Sequence, residues 1–241
     1  MQHILSLVRR CVEDYHMIAD GDTVAVGVSG GKDSVLTLAA LAKLRAFYPK
    51  RFDVVAITID SCTPGMDFSP IAQLCAQLDV PYHLVQVPIY EIVFVCRQEK
   101  NPCSLCAKLR RGALSTELNR LGLNKIALGH HYDDAVETMV MSLFLEGRIS
   151  CFQPVTYLDR SQVTQIRPLL YVQERDVRGA VRRLGLPVVS NPCPNNGSTK
   201  REEMKELLLQ LEKQFPHLKK KIFGAIQRYP LYGWSLDEEQ W

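Results

Sequence analysis

The chain has 241 residues, 46% of them apolar and 23% charged, and a formal net charge of +3 at neutral pH. That size and balance belong to globular proteins with one sizeable core, so folding needs neither a disulfide nor a structural metal. No apolar run is long enough to span a bilayer, and His3, Arg9, Arg10 and Glu13 interrupt the N-terminal apolar residues where a signal peptide would not be interrupted; the expected location is cytoplasmic, with no membrane partner.

Residues 1–20 predict an amphipathic helix, with Ile4, Leu5, Val8, Val12 and Tyr15 near one face. Thr23–Val28 is a run of strand formers. After Ser29-Gly30-Gly31-Lys32-Asp33-Ser34 comes a helix that opens at Asp33 and keeps an apolar period from Val35 to Phe47. Asp53–Asp60 reads as a buried parallel strand. Residues 61–69 form a loop, and Pro70 suits the first turn of a helix running to Leu78. Tyr82–Val87 is the third strand and Ser104–Leu121 is helical by period. Lys125–Gly129 is a short strand, followed by a helix over Asp133–Leu145. A strand near Gln165–Arg167 and a helix over Glu174–Leu184 follow. Ser190–Ser198, rich in Asn, Pro and Gly, is a loop. Thr199 with Glu202 makes a capping box for a helix to Leu211. Strands alternating with helices predict an α/β fold, a doubly wound parallel sheet with helices on both faces. Its ligands should bind beyond the carboxyl ends of the strands, on the loops after Val28, Ile59, Val87 and Leu128.

A strand, a glycine-rich turn and a helix N-terminus together make an anion site, because backbone N–H groups converge there and the helix dipole favours negative charge. Gly30 and Gly31 allow a sharp turn and a close approach to phosphate. Ser29 and Ser34 offer hydroxyls, and Lys32 a positive charge. A Walker A loop is excluded, since Val26 stands where it needs glycine and Asp33 where it needs Ser or Thr. The hexapeptide resembles the pyrophosphate loop of the PP-loop ATP pyrophosphatases, which split ATP into AMP and pyrophosphate to activate an oxygen atom.

Gly129-His130-His131-Tyr132-Asp133-Asp134 again follows a short strand and opens a helix. Asp133 and Asp134 suit a helix start and could hold Mg²⁺ on a phosphate. The segment resembles the second signature of the same superfamily, which implies that Gly129 and His130 lie near the nucleotide and an aspartate at the reacting centre.

Of the 8 cysteines, Cys11, Cys62, Cys75, Cys96 and Cys151 read as core or incidental residues. Cys103 and Cys106 form a Cys-x-x-Cys entering a helix, where thiolate is favoured. Cys193, between Pro192 and Pro194, is the natural third member. Three thiolates without an obvious fourth favour a 4Fe–4S cluster with one open iron, while zinc completed by His130, His131 or His217 stays open. Basic clusters at Lys108, Arg110 and Arg111, at Arg178, Arg182 and Arg183, and at Lys213 and Lys219–Lys221 make a polyanion partner plausible.

The ordered combination is similar to the tRNA 2-thiocytidine synthetase (TtcA-type) family: Tyr15–Asp22, the pyrophosphate loop, Cys103–Gly112, Ile126–His131 with Asp133-Asp134, Ile166–Leu169 and Pro192-Cys193. It departs at Asn196, where the family usually has a further cysteine. The resemblance implies three parts: an N-terminal helix over 1–20, a PP-loop ATP pyrophosphatase domain over 21–190, and a cysteine loop with helices over 191–241 packed on the same domain. It implies ATP, Mg²⁺ and a 4Fe–4S cluster on Cys103, Cys106 and Cys193. ATP would contact Ser29, Gly30, Gly31, Lys32, Asp33, Ser34, Asp60, Gly129 and His130. Lys32, Asp33 and Asp134 would be catalytic, Asp134 and Asp133 would hold magnesium, and Lys108, Arg110 and Arg111 would meet tRNA. The implied activity is a tRNA sulfurtransferase: it adenylates the C2 oxygen of an anticodon-loop cytidine and replaces it with sulfur from a cysteine desulfurase or another donor. A homodimer stays open. So do a 2-thiouridine synthetase, a thio-base desulfidase and a non-catalytic nucleotide-binding, cluster-sensing module. Lysidine formation is disfavoured, because it needs no sulfur.

Overall fold

The computed structural model describes residues 1–97, 102–190, 192–193, 200–229 and 234. Asn196 and Thr199, and with Thr199 the expected capping box, lie outside the described residues. Six strands form one sheet: β1 (Asp22–Gly27), β2 (Phe52–Asp60), β3 (Tyr82–Gln86), β4 (Lys125–Ala127), β5 (Val155–Leu158) and β6 (Val163–Ile166), in the order β3-β2-β1-β4-β6-β5. The first four and β6 are parallel, as expected. β5 departs from the all-parallel expectation: it runs antiparallel to β6, pairing Val155 with Ile166 and Leu158 with Val163. The two are joined by a tight turn with Gln162 at φ 51°, so a hairpin rather than a crossover finishes that edge.

Eight α-helices are described: α1 (Gln2–Asp14), α2 (Lys32–Leu44), α3 (Ser69–Gln77), α4 (Pro102–Arg120), α5 (Tyr132–Glu146), α6 (Glu174–Leu184), α7 (Lys200–Gln214) and α8 (Leu218–Arg228). A π-helical turn, Glu91–Cys96, precedes α4. Alternation along β1 explains why both faces of the sheet are covered. Val24 and Val26 point into a large core shared with α1, α2, α5, α6, α7 and α8. Ala25 points into a second core with Ile57, Ile126, Val93 and Leu118, roofed by α4 and the π turn. Trp234, fully buried, joins the larger core and donates its indole N–H to the Phe152 carbonyl. Among the described residues no helix is long and apolar enough to cross a membrane.

The expected N-terminal helix stops at Asp14, six residues early, because His16 turns into the left-handed region at φ 47°. Of the cysteines read as core or incidental, Cys11 and Cys75 are buried, while Cys62 and Cys96 are exposed. Cys62 lies just past β2 with φ 55°, and Cys96 ends the π turn, so neither is a core residue.

Candidate active site

The site lies at the carboxyl ends of β1 to β4. Between β1 and α2, the hexapeptide folds on its own hydroxyls. Ser34 Oγ accepts from the Ser29 amide at 3.1 Å, lies 3.1 Å from Ser29 Oγ and donates to the Gly31 carbonyl at 2.9 Å. Gly30 turns at φ 85°, and a Cβ there would sit 2.8 Å from Val189 Cβ. The Val189 amide donates to the Gly30 carbonyl at 2.9 Å, so the chain leading to Cys193 is pinned directly on the loop. Gly129 serves packing: a Cβ would lie 2.8 Å from the Ser34 amide nitrogen, so only glycine lets β4 exit this close to the first turn of α2.

Lys32 Nζ pairs with Asp33 Oδ2 at 2.9 Å and with Glu174 Oε1 at 3.2 Å. Burial works against the charged amine, but Asp33 and Glu174 outweigh it and raise its pKa. Glu174 joins the site without being among the sequence candidates. It also pairs with Lys205 and Arg178, each at 2.8 Å. Burial opposes its ionisation, yet Lys205, Arg178 and Lys32 hold its carboxyl well below the usual range. The one signal in the sequence was its place at the first turn of α6, shortly after Arg167-Pro168.

His131 links the two candidate acids. It is the N-cap of α5: its Nδ1 accepts from the Asp134 amide at 3.3 Å, while Asp134 Oδ2 accepts from the His131 amide at 2.9 Å. With Nδ1 accepting, the neutral ring carries its proton on Nε2, which lies 3.6 Å from Asp33 Oδ1. Asp33 and Asp134 therefore flank one buried imidazole. The other Asp134 oxygen accepts from Arg201 Nη1 of α7 at 2.9 Å, and Arg201 also reaches Glu137 at 3.4 Å. Nothing in the local sequence of Arg201, at the start of α7, marked it for the site. Asp133 is turned to another use. Its oxygens accept from the Glu174 amide at 2.7 Å and from Lys219 Nζ at 2.8 Å, tying α5 to α6 and α8.

The His130 ring lies against Phe152, tilted by 39° with 5.0 Å between ring centroids, and its Nδ1 is buried with no hydrogen-bond partner among the described residues. Burial, with the nearby Arg167 guanidinium, lowers its pKa to about 4, so the ring is neutral at physiological pH. Asp60 closes β2 and accepts from the Cys62 amide at 2.9 Å.

A cleft of about 210 Å³ joins the phosphate loop to the cysteines. Ser29 and Gly31 line it together with Cys106, Arg110, Cys193, Tyr90 and Phe94. The Cys106 thiol is pushed up by burial, pulled down by the Arg110 charge and pushed up again by the charges of Cys193 and Cys103. Cys106 thus feels both of the other thiols although Cys193 is far from it in sequence. Among the described residues no three His, Cys, Asp or Glu side chains converge on the position of a single metal ion. Lys108 and Arg111 are exposed on α4, and Arg110 faces the cleft.

The PP-loop domain family model matches residues 3–212. The chain is 41% identical over 222 residues to the tRNA-cytidine(32) 2-sulfurtransferase of Pelobacter propionicus, covering 91% of this chain and 82% of that protein. To the protein of the same name from Geobacter sulfurreducens it is 41% identical over 229 residues, covering 92% and 88%. Among solved structures it resembles the U34-tRNA thiolase NcsA from Methanococcus maripaludis, determined with its 4Fe–4S cluster. The TM-score is 0.75 at 24% identity, covering 92% of this chain and 77% of that one, a likeness of fold.

Proposed function

The chain belongs to the PP-loop family together with the tRNA-cytidine(32) 2-sulfurtransferases, and on that premise we propose that it uses ATP to thiolate cytidine 32 of tRNA. The observation that carries the reading is the cleft that the phosphate loop and two of the three cysteines line together.

ATP places its phosphates on the Ser29–Ser34 loop, where the α2 N-terminus and Lys32 receive negative charge. Lys32 is held there by Asp33 and Glu174, so it reaches the β- and γ-phosphates without a search through its rotamers. The cytidine C2 oxygen attacks the α-phosphorus; its new bond to phosphorus forms as the bond to pyrophosphate breaks. The buried, unpartnered Nδ1 of neutral His130 would recover a desolvation cost of about 1–3 kcal/mol on gaining a partner from the nucleotide. Magnesium would be held by Asp134 with Asp33 across His131, neutralising phosphate charge. Both carboxylates can release protein partners to it: Asp33 gives up Lys32 to the phosphates, and Asp134 gives up Arg201. Asp133, engaged at both oxygens, is left to bind the helices together.

The donor set fits a thiolate-bound cluster: the Cys106 thiol feels both Cys103 and Cys193, Cys106 and Cys193 line the cleft, and Arg110 lies beside Cys106 to balance the charge. A 4Fe–4S cluster held by Cys103, Cys106 and Cys193 would supply the soft metal centre that presents sulfide to the activated C2, from which AMP then leaves. Arg110 faces the cleft from α4, while Lys108 and Arg111 extend the positive charge toward the RNA backbone.

The test is mass spectrometry of tRNA nucleosides. A strain lacking this gene should lose 2-thiocytidine. The wild-type chain should restore it and Lys32→Ala should not, with AMP and pyrophosphate as the nucleotide products. Unchanged 2-thiocytidine in the deletion strain, or ADP and phosphate as products, overturns the reading.

A further inference from the structure

A groove of about 330 Å³ lies between α1 and α8, away from the cysteines. Arg10, Lys220 and Arg228 line it together with the rings of Tyr132, Tyr171 and Phe223. Tyr132 and Phe223 stack at 4.2 Å, and the Arg10 guanidinium lies 4.9 Å from the centre of the Tyr171 ring. Gly224 makes room for Arg228, whose Nη1 would be 2.8 Å from a Cβ at that position. The sequence of α8 carries Lys219, Lys220, Lys221 and Arg228 and no carboxylate. Lys219 pairs with Asp133, but Lys220 and Arg228 have no ion-pair partner among the described residues. Arg10 has only Asp14, at 3.5 Å, and Asp14 also accepts from the Tyr171 hydroxyl at 2.8 Å. Three exposed cations with one shared carboxylate form a surface complementary to a polyanion. Tyr132 and Phe223 are buried and Tyr171 is half-buried, so Tyr171 is the ring left accessible to a nucleic acid, which offers both phosphates and π faces. Tyr132 follows His131 directly in sequence, so the groove and the site draw on the same helix start.

We propose that this groove is a second tRNA-docking surface, with Arg10, Lys220 and Arg228 on backbone phosphates and an unstacked base against the Tyr171 side of the aromatic floor. It would hold the body of the RNA while Arg110 and its neighbours on α4 meet the part that enters the cleft. The inference rests on the tRNA-modifying function proposed above.

The experiment compares tRNA binding by the full-length chain and two variants, Lys220→Gln with Arg228→Gln, and the same pair with Arg10→Gln, across a salt series. The double variant leaves the Arg10–Tyr171 contact in place and guards against misfolding of the triple one. A Lys43→Gln and Arg160→Gln double variant removes two exposed cations elsewhere and serves as the control. Each lost phosphate contact should lower the slope of log affinity against log salt by roughly one. The double and triple variants should therefore bind tRNA about tenfold or more weakly at moderate salt, with slopes lower by about two and three, and ATP affinity unchanged. Equal affinity and slope for the wild-type and the groove variants overturns this inference alone. An equal loss in the control variant also overturns it, as a net-charge effect. If the groove variants lose binding to anionic phospholipid vesicles but not to tRNA, the occupant is a membrane surface and the RNA assignment is overturned. Failure of the wild-type chain to bind tRNA at all overturns both this inference and the function beneath it.

Discussion

Glu137 shows what burial does to a single carboxyl beside the reacting centre. Its side chain is 4% exposed, with Asp134 nearby and Arg201 3.4 Å away. Burial and the Asp134 charge outweigh Arg201 and raise its pKa from 4.5 to about 7. The native state thus holds this proton more tightly than the unfolded chain does. The contribution to stability is fully present below pH 4.5 and is lost as pH rises to about 7. Glu137→Gln fixes the neutral form. It should leave stability at pH 5 nearly unchanged and raise it by about 1–3 kcal/mol at pH 8, since a tenfold difference in proton affinity between the folded and unfolded chain corresponds to about 1.4 kcal/mol. Urea titrations at the two pH values check this, and an identical difference at both would remove Glu137 as the titrating group. No feature of the sequence foretold this behaviour. Glu137 reads as an ordinary helical acid until α7 is laid over α5 and Arg201 arrives from 64 residues away.

At the scale of elements, local chemistry was legible and edges were not. β1, the glycine turn and α2 could be read because a β-branched run, two glycines and an apolar helical period follow one another without a break. The antiparallel β5 could not, since Val155–Leu158 is a four-residue strand with a mixed pattern and gains its meaning only from pairing with β6. The π turn at Glu91–Cys96 was equally hidden: its apolar residues are placed by packing of Val93 into the second core, not by a period of their own. The adjacent acids at the start of α5 illustrate the same limit. Both suit a helix N-terminus in sequence, but the fold pairs Asp134 with His131 and Arg201, and Asp133 with the N-terminus of α6 and Lys219 of α8. Asp133→Asn keeps an acceptor for the Glu174 amide and loses the ion pair. It should cost about 1–3 kcal/mol, the range for a buried hydrogen bond to a charged group, while ATP affinity stays within about tenfold. Urea denaturation and nucleotide titration measure the two. Loss of magnesium-dependent turnover with unchanged stability would instead return Asp133 to the metal.

On the scale of the whole molecule, the cleft is assembled from five separated stretches: the loop at Ser29 and Gly31, Ser61, Thr63 and Met66 past β2, Ile89, Tyr90 and Phe94, Cys106 and Arg110 on α4, and Val189 with Cys193. The cysteines could be singled out in sequence because a Cys-x-x-Cys at a helix start and a cysteine between prolines are poor core residues. That they should form one site was an expectation of the resemblance; how Cys106 and Cys193 reach one cleft could not be read, because it depends on a parallel sheet delivering loops to one edge and on the Val189–Gly30 hydrogen bond. If the three thiols act as one site, the consequence is sharp. Anaerobically purified protein should be brown with about four irons. Cys103→Ala, Cys106→Ala and Cys193→Ala should each lose the iron, since a 4Fe–4S cluster with two protein thiolates is poorly held. Cys75→Ala, buried on α3 and apart from the cleft, should keep it. Asn196→Ala should also keep it, because an amide is a poor ligand for iron beside a thiolate. Gly30→Ala supplies the structural half of the test. Its Cβ would press on Val189 Cβ and move the Cys193 stretch without removing a thiol, so iron content should fall although all three cysteines are present. Iron retained without Cys193, or a colourless protein with one zinc, would break the three-thiolate site. Iron retained in Gly30→Ala would show that Cys193 is placed by something other than the phosphate loop.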